Sequence, residues 1–362
     1  MLVTKNLVVA HDYLTQRGGA ERVTLDMIKA FKPKFIVTSV WNSSNTFKDF
    51  TNYNIKQSFL RHFEIFRRDP RFALPLLPLA WKSLGKVDAD VVLCSSSGWS
   101  HGVRTTFKTK KIVYCHNPAR WIYQDQDYFL NSGKLVRAFW ALAKRPLRFL
   151  DKKAACSADC YIANSTSVAA RIWQAYGIEA KVVFPPVSID VHAPQEPIAS
   201  IGPGYFLVVS RSRGYKGTQL VIDAFRELPH HRLVIIGGEN FTNLPPNITS
   251  LGRVADAQLR WLYTHAAALV SLSREDFGLT PIEANAFGTP ALVLKAGGFL
   301  DTTQEGVSGL FVNEASVSAL VEAVTHFPSN WDKDRIAENA ERFSLNTFTT
   351  NLSAIIDDVV KR

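Results

Sequence analysis

The sequence predicts an α/β protein made of two doubly wound parallel sheets that follow one another along the chain. Three observations carry this expectation. Short β-branched runs alternate with helical patterns throughout, which is the signature of repeated βαβ units. The chain has 362 residues, more than one compact domain usually holds. The prolines of VVFPPVSIDVHAP interrupt the alternation, so a linker is expected near 186–202 before the pattern restarts.

The strands can be read in order. NLVVAHDYL, FIVTSVW, DVVLCSS, KIVYCHN and CYIANST form the first set, each followed by polar or glycine residues. YFLVVSR, HRLVIIG, ITSLG, ALVSLS and PALVLKA form the second, alternating with helical stretches such as TQLVIDAFREL and AQLRWLYTHAA. The expected domains are 1–190 and 191–343, with a last helix over 344–362. Open parallel sheets bind ligands beyond the carboxyl ends of their strands, so the site is expected in a cleft between the two sheets, on the loops leaving each strand.

Composition narrows the class. Hydrophobic residues make up 46% and charged residues 20%, which fits a globular protein and argues against disorder or a fibrous repeat. The opening MLVTKNLVVAHDYL reads as a buried strand rather than a signal peptide. The most apolar stretch, FALPLLPLAW, is broken by Pro75 and Pro78 and is too short to span a bilayer. A cytoplasmic protein is expected. Four cysteines, Cys94, Cys115, Cys156 and Cys160, are too few for a disulfide framework and read as small buried side chains rather than metal ligands.

Charge is unevenly spread. The net +10 divides into 28 Lys and Arg against 14 Asp and Glu up to residue 190, and 14 against 18 after it. The basic half should therefore face something anionic: nucleic acid, an anionic membrane leaflet or a phosphorylated substrate.

Several strand ends carry candidate chemistry. Gly18 and Gly19 in HDYLTQRGGAERV precede a helical pattern, where backbone amides either hold phosphate oxygens or close a plain turn. Arg211 and Lys216 in SRSRGYKGTQLVIDAF stand between a strand and a helix, a fork and a point charge suited to a diphosphate, or else a solvated basic turn. In SREDFGLTPIEANAFGTP, Thr280, Pro281 and Glu283 match a T-x-x-E capping box. Capping explains Glu283 but leaves Glu275, an acid at a strand end, unexplained.

These residues together carry a resemblance. The E(x)7E of Glu275 to Glu283, the R(x)4KG of Arg211 to Gly217, the NST after CYIA and the tail GTPALVLKAGGFLDTTQEGVSGLFV resemble the family 4 retaining glycosyltransferases of GT-B fold, two Rossmann-like domains facing a cleft. The N-terminal half, with SSSGWSHGVR and YCHNPARWIYQ, is most similar to bacterial mannosyltransferases of O-antigen and exopolysaccharide assembly. The resemblance implies that Arg211 and Lys216 bind the donor diphosphate, Glu283 the ribose hydroxyls and Glu275 the transferred sugar. The amides of Gly278, Leu279 and Thr280 would approach the diphosphate or sugar. Gly19 and His116 would lie across the cleft, and the pocket for the base is expected around Gly237, Gly238, Arg253, Val254 and Ala255. The last helix would cross back to the first domain.

Cations fixed at the leaving group would stabilise the departing diphosphate, so no metal or other cofactor is expected. Of the chain's D-x-D strings, Asp88-Ala89-Asp90 reads as a turn leading into a strand rather than a metal-binding triplet. Where the family often has GGxxE, this chain has Gly297, Gly298 and Asp301. The stretches Asn54 to Lys86 and Trp140 to Lys153 mix aromatics, leucines and basic residues. They read equally as a surface for anionic lipid and a polyprenyl-diphosphate-linked acceptor, or as helices packed on the sheet with snorkelling basic ends.

The reading is therefore transfer of a sugar, most readily mannose from GDP-mannose, to a lipid-linked or oligosaccharide acceptor in bacterial surface polysaccharide synthesis, at the cytoplasmic face of the inner membrane and without nucleic acid. A UDP-sugar or dTDP-sugar donor is the alternative within the fold. A non-catalytic membrane- or nucleic-acid-binding protein is the alternative of another class.

Overall fold

The computed structural model describes residues 6–124, 133–210, 217–238 and 241–362. The chain divides into two compact units, Met1–Pro186 with Asn346–Arg362, and Val187–Leu345.

In unit 1 the strands are β1 (Leu7–His11), β2 (Phe35–Thr38), β3 (Ile55–Gln57), β4 (Lys86–Val87), β5 (Val91–Ser96), β6 (Arg104–Thr105), β7 (Lys110–Cys115), β8 (Cys160–Ala163) and β9 (Lys181–Val182). Seven form one sheet in the order β3-β2-β1-β5-β7-β8-β9, while β4 and β6 pair separately. Every pairing is parallel. Because helices cover both faces of such a sheet, its central strands read as unbroken apolar runs rather than alternating ones. Accordingly Val8 and Ala10 face one core cluster, with Trp81 and Tyr161, while Leu7 and Val9 face the other, with Met27 and Ile28.

The helix Leu345–Lys361 belongs to that second cluster. Its Phe348, Leu352, Ile356 and Val359, spaced four, four and three residues apart, are buried and form the single apolar stripe a helix lays on a sheet. The ring of Phe348 meets that of Tyr114 edge-on at 5.6 Å.

Unit 2 holds β10 (Tyr205–Ser210), β11 (Leu233–Gly237), β12 (Ile248–Gly252), β13 (Ala266–Ser271), β14 (Ala291–Leu294) and β15 (Gly309–Val312). Its sheet runs β12-β11-β10-β13-β14-β15, again all parallel. Phe206 and Val208 face one core, Tyr205 and Leu207 the other. Each unit is a Rossmann-like doubly wound sheet.

Some local readings need correction. Cys156 is exposed and Cys160 half-buried, so only Cys94 and Cys115 are core residues. Burial pushes the Cys94 thiol up to about 12, which makes it unreactive. Asp88 and Asp90 are exposed and accept hydrogen bonds from Thr106 Oγ1 at 3.1 Å and Asn6 N at 3.1 Å, as turn residues do. In NST, Ser165 caps the helix Thr166–Tyr176 by accepting from Val168 N at 3.1 Å.

The basic, apolar stretch from Asn54 to Lys86 is partly packed in the core and partly exposed. It folds as β3 and short helical turns: Leu60, Leu74, Leu77 and Trp81 are buried, whereas Phe63, Ile65, Phe72 and Leu79 are exposed. The helix Lys134–Ala155 divides the same way. Trp140, Leu147 and Asp151 are buried, while Leu142 and Phe149 are exposed. Among the described residues, no helix is long and apolar enough to cross a membrane.

Candidate functional site

In a doubly wound sheet the crevice lies where the strand order reverses. In unit 2 that point falls between β10 and β13, and in unit 1 between β1 and β5.

Strand β13 hands the chain to Ser273 and Glu275. The buried Ser273 hydroxyl lies 2.9 Å from Ser271 Oγ and donates to Glu275 Oε1 at 3.2 Å. This fixes the half-buried Glu275 carboxylate at the carboxyl end of the sheet. Behind it, Gly298 N donates to the Glu275 carbonyl at 3.0 Å. A Cβ on Gly297 would stand 2.4 Å from that carbonyl, and one on Gly298 would stand 2.3 Å from Phe277 Cα and O. Two successive glycines are therefore needed for the loop carrying Glu275 to rest backbone on backbone.

The helix that follows spans Leu279–Asn285, and Gly278 caps it in the left-handed region at φ +89°. The expected capping box is therefore not formed. Thr280 lies inside the helix, and Pro281 occupies its third position, where a missing N–H costs nothing because first-turn amides have no intrahelical partner. Glu283 instead accepts from the buried Tyr263 hydroxyl at 2.8 Å. That bond gives a buried phenol a hydrogen-bond partner and orients the carboxylate.

Glu275, Gly278, Leu279, Thr280 and Glu283 thus share one strand-to-helix turn. Arg211 and Lys216 lie outside the described residues. The chain resumes at Gly217, where a Cβ would be 3.3 Å from the Leu272 carbonyl, so this end of their loop abuts the exit of β13. Arg253 and Val254 follow β12, three strands from β13 in the sheet order and so about 14 Å away. Arg253 is exposed and Val254 half-buried.

In unit 1, Gly19 opens the helix Gly19–Phe31 directly after the β1 loop, and His116 follows β7. A buried relay joins their elements. His116 Nε2 lies 2.8 Å from Ser95 Oγ, which is 2.7 Å from Thr24 Oγ1, itself 3.0 Å from His11 Nδ1. Beside it, Glu21 Oε1 accepts from Gln16 Nε2 at 3.0 Å, and Oε2 has no hydrogen-bond partner among the described residues.

Asp12 holds this crevice together. Its buried carboxylate accepts from the backbone amides of Ser97 at 2.5 Å, Trp99 at 2.7 Å and Ser100 at 2.6 Å, tying the end of β1 to the end of β5. Asp12→Ala leaves those three donors without their acceptor and is expected to cost about 3–5 kcal/mol, with Asn recovering part. Urea unfolding of the two variants measures it.

Sequence reasoning did not single out His11, Asp12, Glu21, Thr24 or Ser95. The available signal was position: His11 and Asp12 end the first strand and Ser95 nears the end of its switch-point neighbour. Their meeting depends on the parallel register that pairs His11 with Ser95.

Residues 17–192 match the model of Glycosyltransferase Family 4, and residues 194–343 match that of Glycosyl transferases group 1. The chain is 24% identical over 253 residues to an alpha-1,3/1,6-mannosyltransferase, ALG2, of Kluyveromyces lactis, covering 54% of this chain and 48% of that protein. It is 26% identical over 209 residues to a D-inositol 3-phosphate glycosyltransferase of Mycobacterium tuberculosis, covering 50% and 43%. The chain thus spans about half the length of the curated relatives it matches. Among solved structures, Anabaena Alr3699/HepE in complex with UDP-glucose superposes with a TM-score of 0.67 at 16% identity, covering 97% of this chain and 99% of that one. A sucrose-phosphate synthase from Thermosynechococcus elongatus gives 0.70 at 16%, covering 98% and 99%. With both halves matched by glycosyltransferase models and the whole chain sharing their architecture, this protein belongs to the family 4 glycosyltransferases of GT-B fold.

Proposed function

We propose that the protein is a retaining glycosyltransferase that takes a sugar from a nucleotide donor, most readily mannose from GDP-mannose. The acceptor is a lipid-linked or oligosaccharide chain of a bacterial surface polysaccharide. The observation that carries the reading is the turn from Ser273 to Glu283, with both glutamates held in place at the switch point of unit 2.

On this reading Glu275 holds hydroxyls of the transferred sugar, Glu283 the ribose, and the amides of Gly278, Leu279 and Thr280 the diphosphate or sugar. Arg211 and Lys216 neutralise the departing diphosphate, where charge develops as the glycosidic bond breaks. Gly19 and His116 serve the phosphate and sugar from unit 1. A donor phosphate oxygen takes the acceptor proton, so the reaction runs without a metal. The mannosyltransferase among the relatives favours mannose.

The lipid-linked acceptor draws support from unit 1. The helix Lys134–Ala155 exposes Leu142 and Phe149 beside Arg145, Arg148, Lys152 and Lys153, the composition of a segment resting on an anionic leaflet. On this reading the enzyme works peripherally on the cytoplasmic face of the inner membrane.

A donor panel tests the reading. With EDTA present, GDP-mannose is expected to raise Tm more than UDP-glucose, UDP-N-acetylglucosamine or dTDP-rhamnose. Preference for a UDP- or dTDP-sugar would move the donor within the fold, and no response to any of the four would overturn the transferase reading.

A further inference from the structure

Beyond the carboxyl ends of β2 and β3, unit 1 contains a groove of about 770 Å³ whose walls include Trp41, Asn42, Gln57, Arg61, His62 and Arg67. It opens on the same edge of the sheet as His116 and Asp12, because every strand is parallel. From β2 to β7, the strand that precedes His116, the sheet order counts three strand spacings, about 14 Å.

The charge in this groove is unbalanced. Two further arginines are matched: Arg68 binds Glu64 at 2.5 Å, both of them in the groove lining, and Arg71 binds Asp69 at 2.5 Å. Among the described residues no carboxylate pairs with Arg61 or Arg67. Arg61 Nε donates to His62 Nε2 at 3.2 Å, a contact that adds no negative charge. Two guanidiniums on the short helices Phe59–His62 and Glu64–Arg68, with Asn42 and Gln57 in the same lining, offer forked donors to oxygens carrying more than one charge.

The same stretch of chain also exposes apolar side chains. Phe63 is 50% exposed, Ile65 51% and Phe72 61%, all within a few residues of the arginines. A free metabolite has no use for such a rim, whereas an amphiphile with an anionic head and a hydrocarbon tail matches both parts.

We infer that the Arg61–Arg67 groove binds the diphosphate of a lipid-linked acceptor, with Phe63, Ile65 and Phe72 against the lipid. The inference rests on the acceptor side of the proposed function and gives it a location: the diphosphate is anchored on the β2–β3 side, and the sugar it carries extends along the sheet edge toward His116.

Flotation of the full chain with phosphatidylcholine vesicles tests this, with and without a polyprenyl diphosphate in the bilayer. Wild type is expected to bind the doped vesicles at least about tenfold more tightly. Arg67→Glu should lose that gain, and Lys108→Glu, an equal change of charge elsewhere on unit 1, should keep it, with both variants first shown to unfold at the wild-type temperature. Inorganic pyrophosphate should release the bound protein.

Equal loss in both variants, or equal binding to vesicles doped with phosphatidylglycerol, would reduce the effect to bulk charge and overturn the inference. Binding of pyrophosphate at the same affinity as the doped vesicles would overturn the lipid assignment. Wild-type donor hydrolysis, measured alongside, separates the two readings. Hydrolysis without selective flotation removes the groove alone, and selective flotation without hydrolysis removes the transferase reading alone.

Discussion

Glu275→Ala is expected to reduce sugar transfer by at least about a hundredfold while leaving nucleoside diphosphate affinity unchanged. The size follows from where the carboxylate stands. A group that holds the sugar while charge develops on it acts chiefly in the transition state, and losing one such contact typically costs about 10²–10³ in rate. The fold is expected to survive. Glu275 is half-buried, and Ser273, its hydrogen-bond donor, keeps Ser271 as a neighbour at 2.9 Å, so stability should change by less than about 1 kcal/mol. Steady-state kinetics, nucleotide titration and thermal unfolding of the same preparation check all three. A parallel loss of nucleotide affinity would shift Glu275 from the sugar to the diphosphate.

Gly298→Ala is expected to be as damaging for a different reason. Gly298 has an ordinary φ of −69°, so alanine meets no intrinsic strain there. The added methyl, however, would stand 2.3 Å from Phe277 Cα and O. Something must move, and what moves is backbone of the loop that carries Glu275. Overpacking of this kind costs about 1–3 kcal/mol, and displacing a reacting group by an ångström costs about a hundredfold in rate. Gly306→Ala supplies the contrast: its φ is +75° but no atom lies within 4 Å, so it should lose about 1 kcal/mol of stability without loss of transfer. Thermal unfolding together with kcat measures both variants.

The sequence made the two doubly wound sheets legible because buried parallel strands are continuous apolar runs such as LVVAH and YFLVVS. The short edge strands were not legible. β9 has two residues and β3 three, too few to show any period, and β15, GLFV, lies in a tail read only as a motif.

The spacing of Glu275 and Glu283 was legible as well, but the local structure between them was not. Thr280 and Pro281 look like the start of a helix. Gly278, free to adopt φ +89°, starts it earlier and leaves room for the Phe299 ring, which a Cβ would meet at 2.5 Å. That contact arises from a residue 21 positions away in sequence. Likewise Tyr263 as the partner of Glu283, and the relay from His116 to His11, exist only once separate βα units pack. Local patterning carries no trace of them.

The central claim is a sugar transfer that keeps the anomeric configuration: the acceptor oxygen attacks from the face the diphosphate leaves, and a donor phosphate oxygen takes its proton. The most direct measurement needs no known acceptor. GDP-mannose is incubated with the protein in EDTA, and the mannose released to water is followed by proton NMR before it mutarotates. The account predicts that the α-anomer appears first and that Glu275→Ala abolishes its release. First appearance of the β-anomer, or release that Glu275→Ala leaves intact, would contradict it.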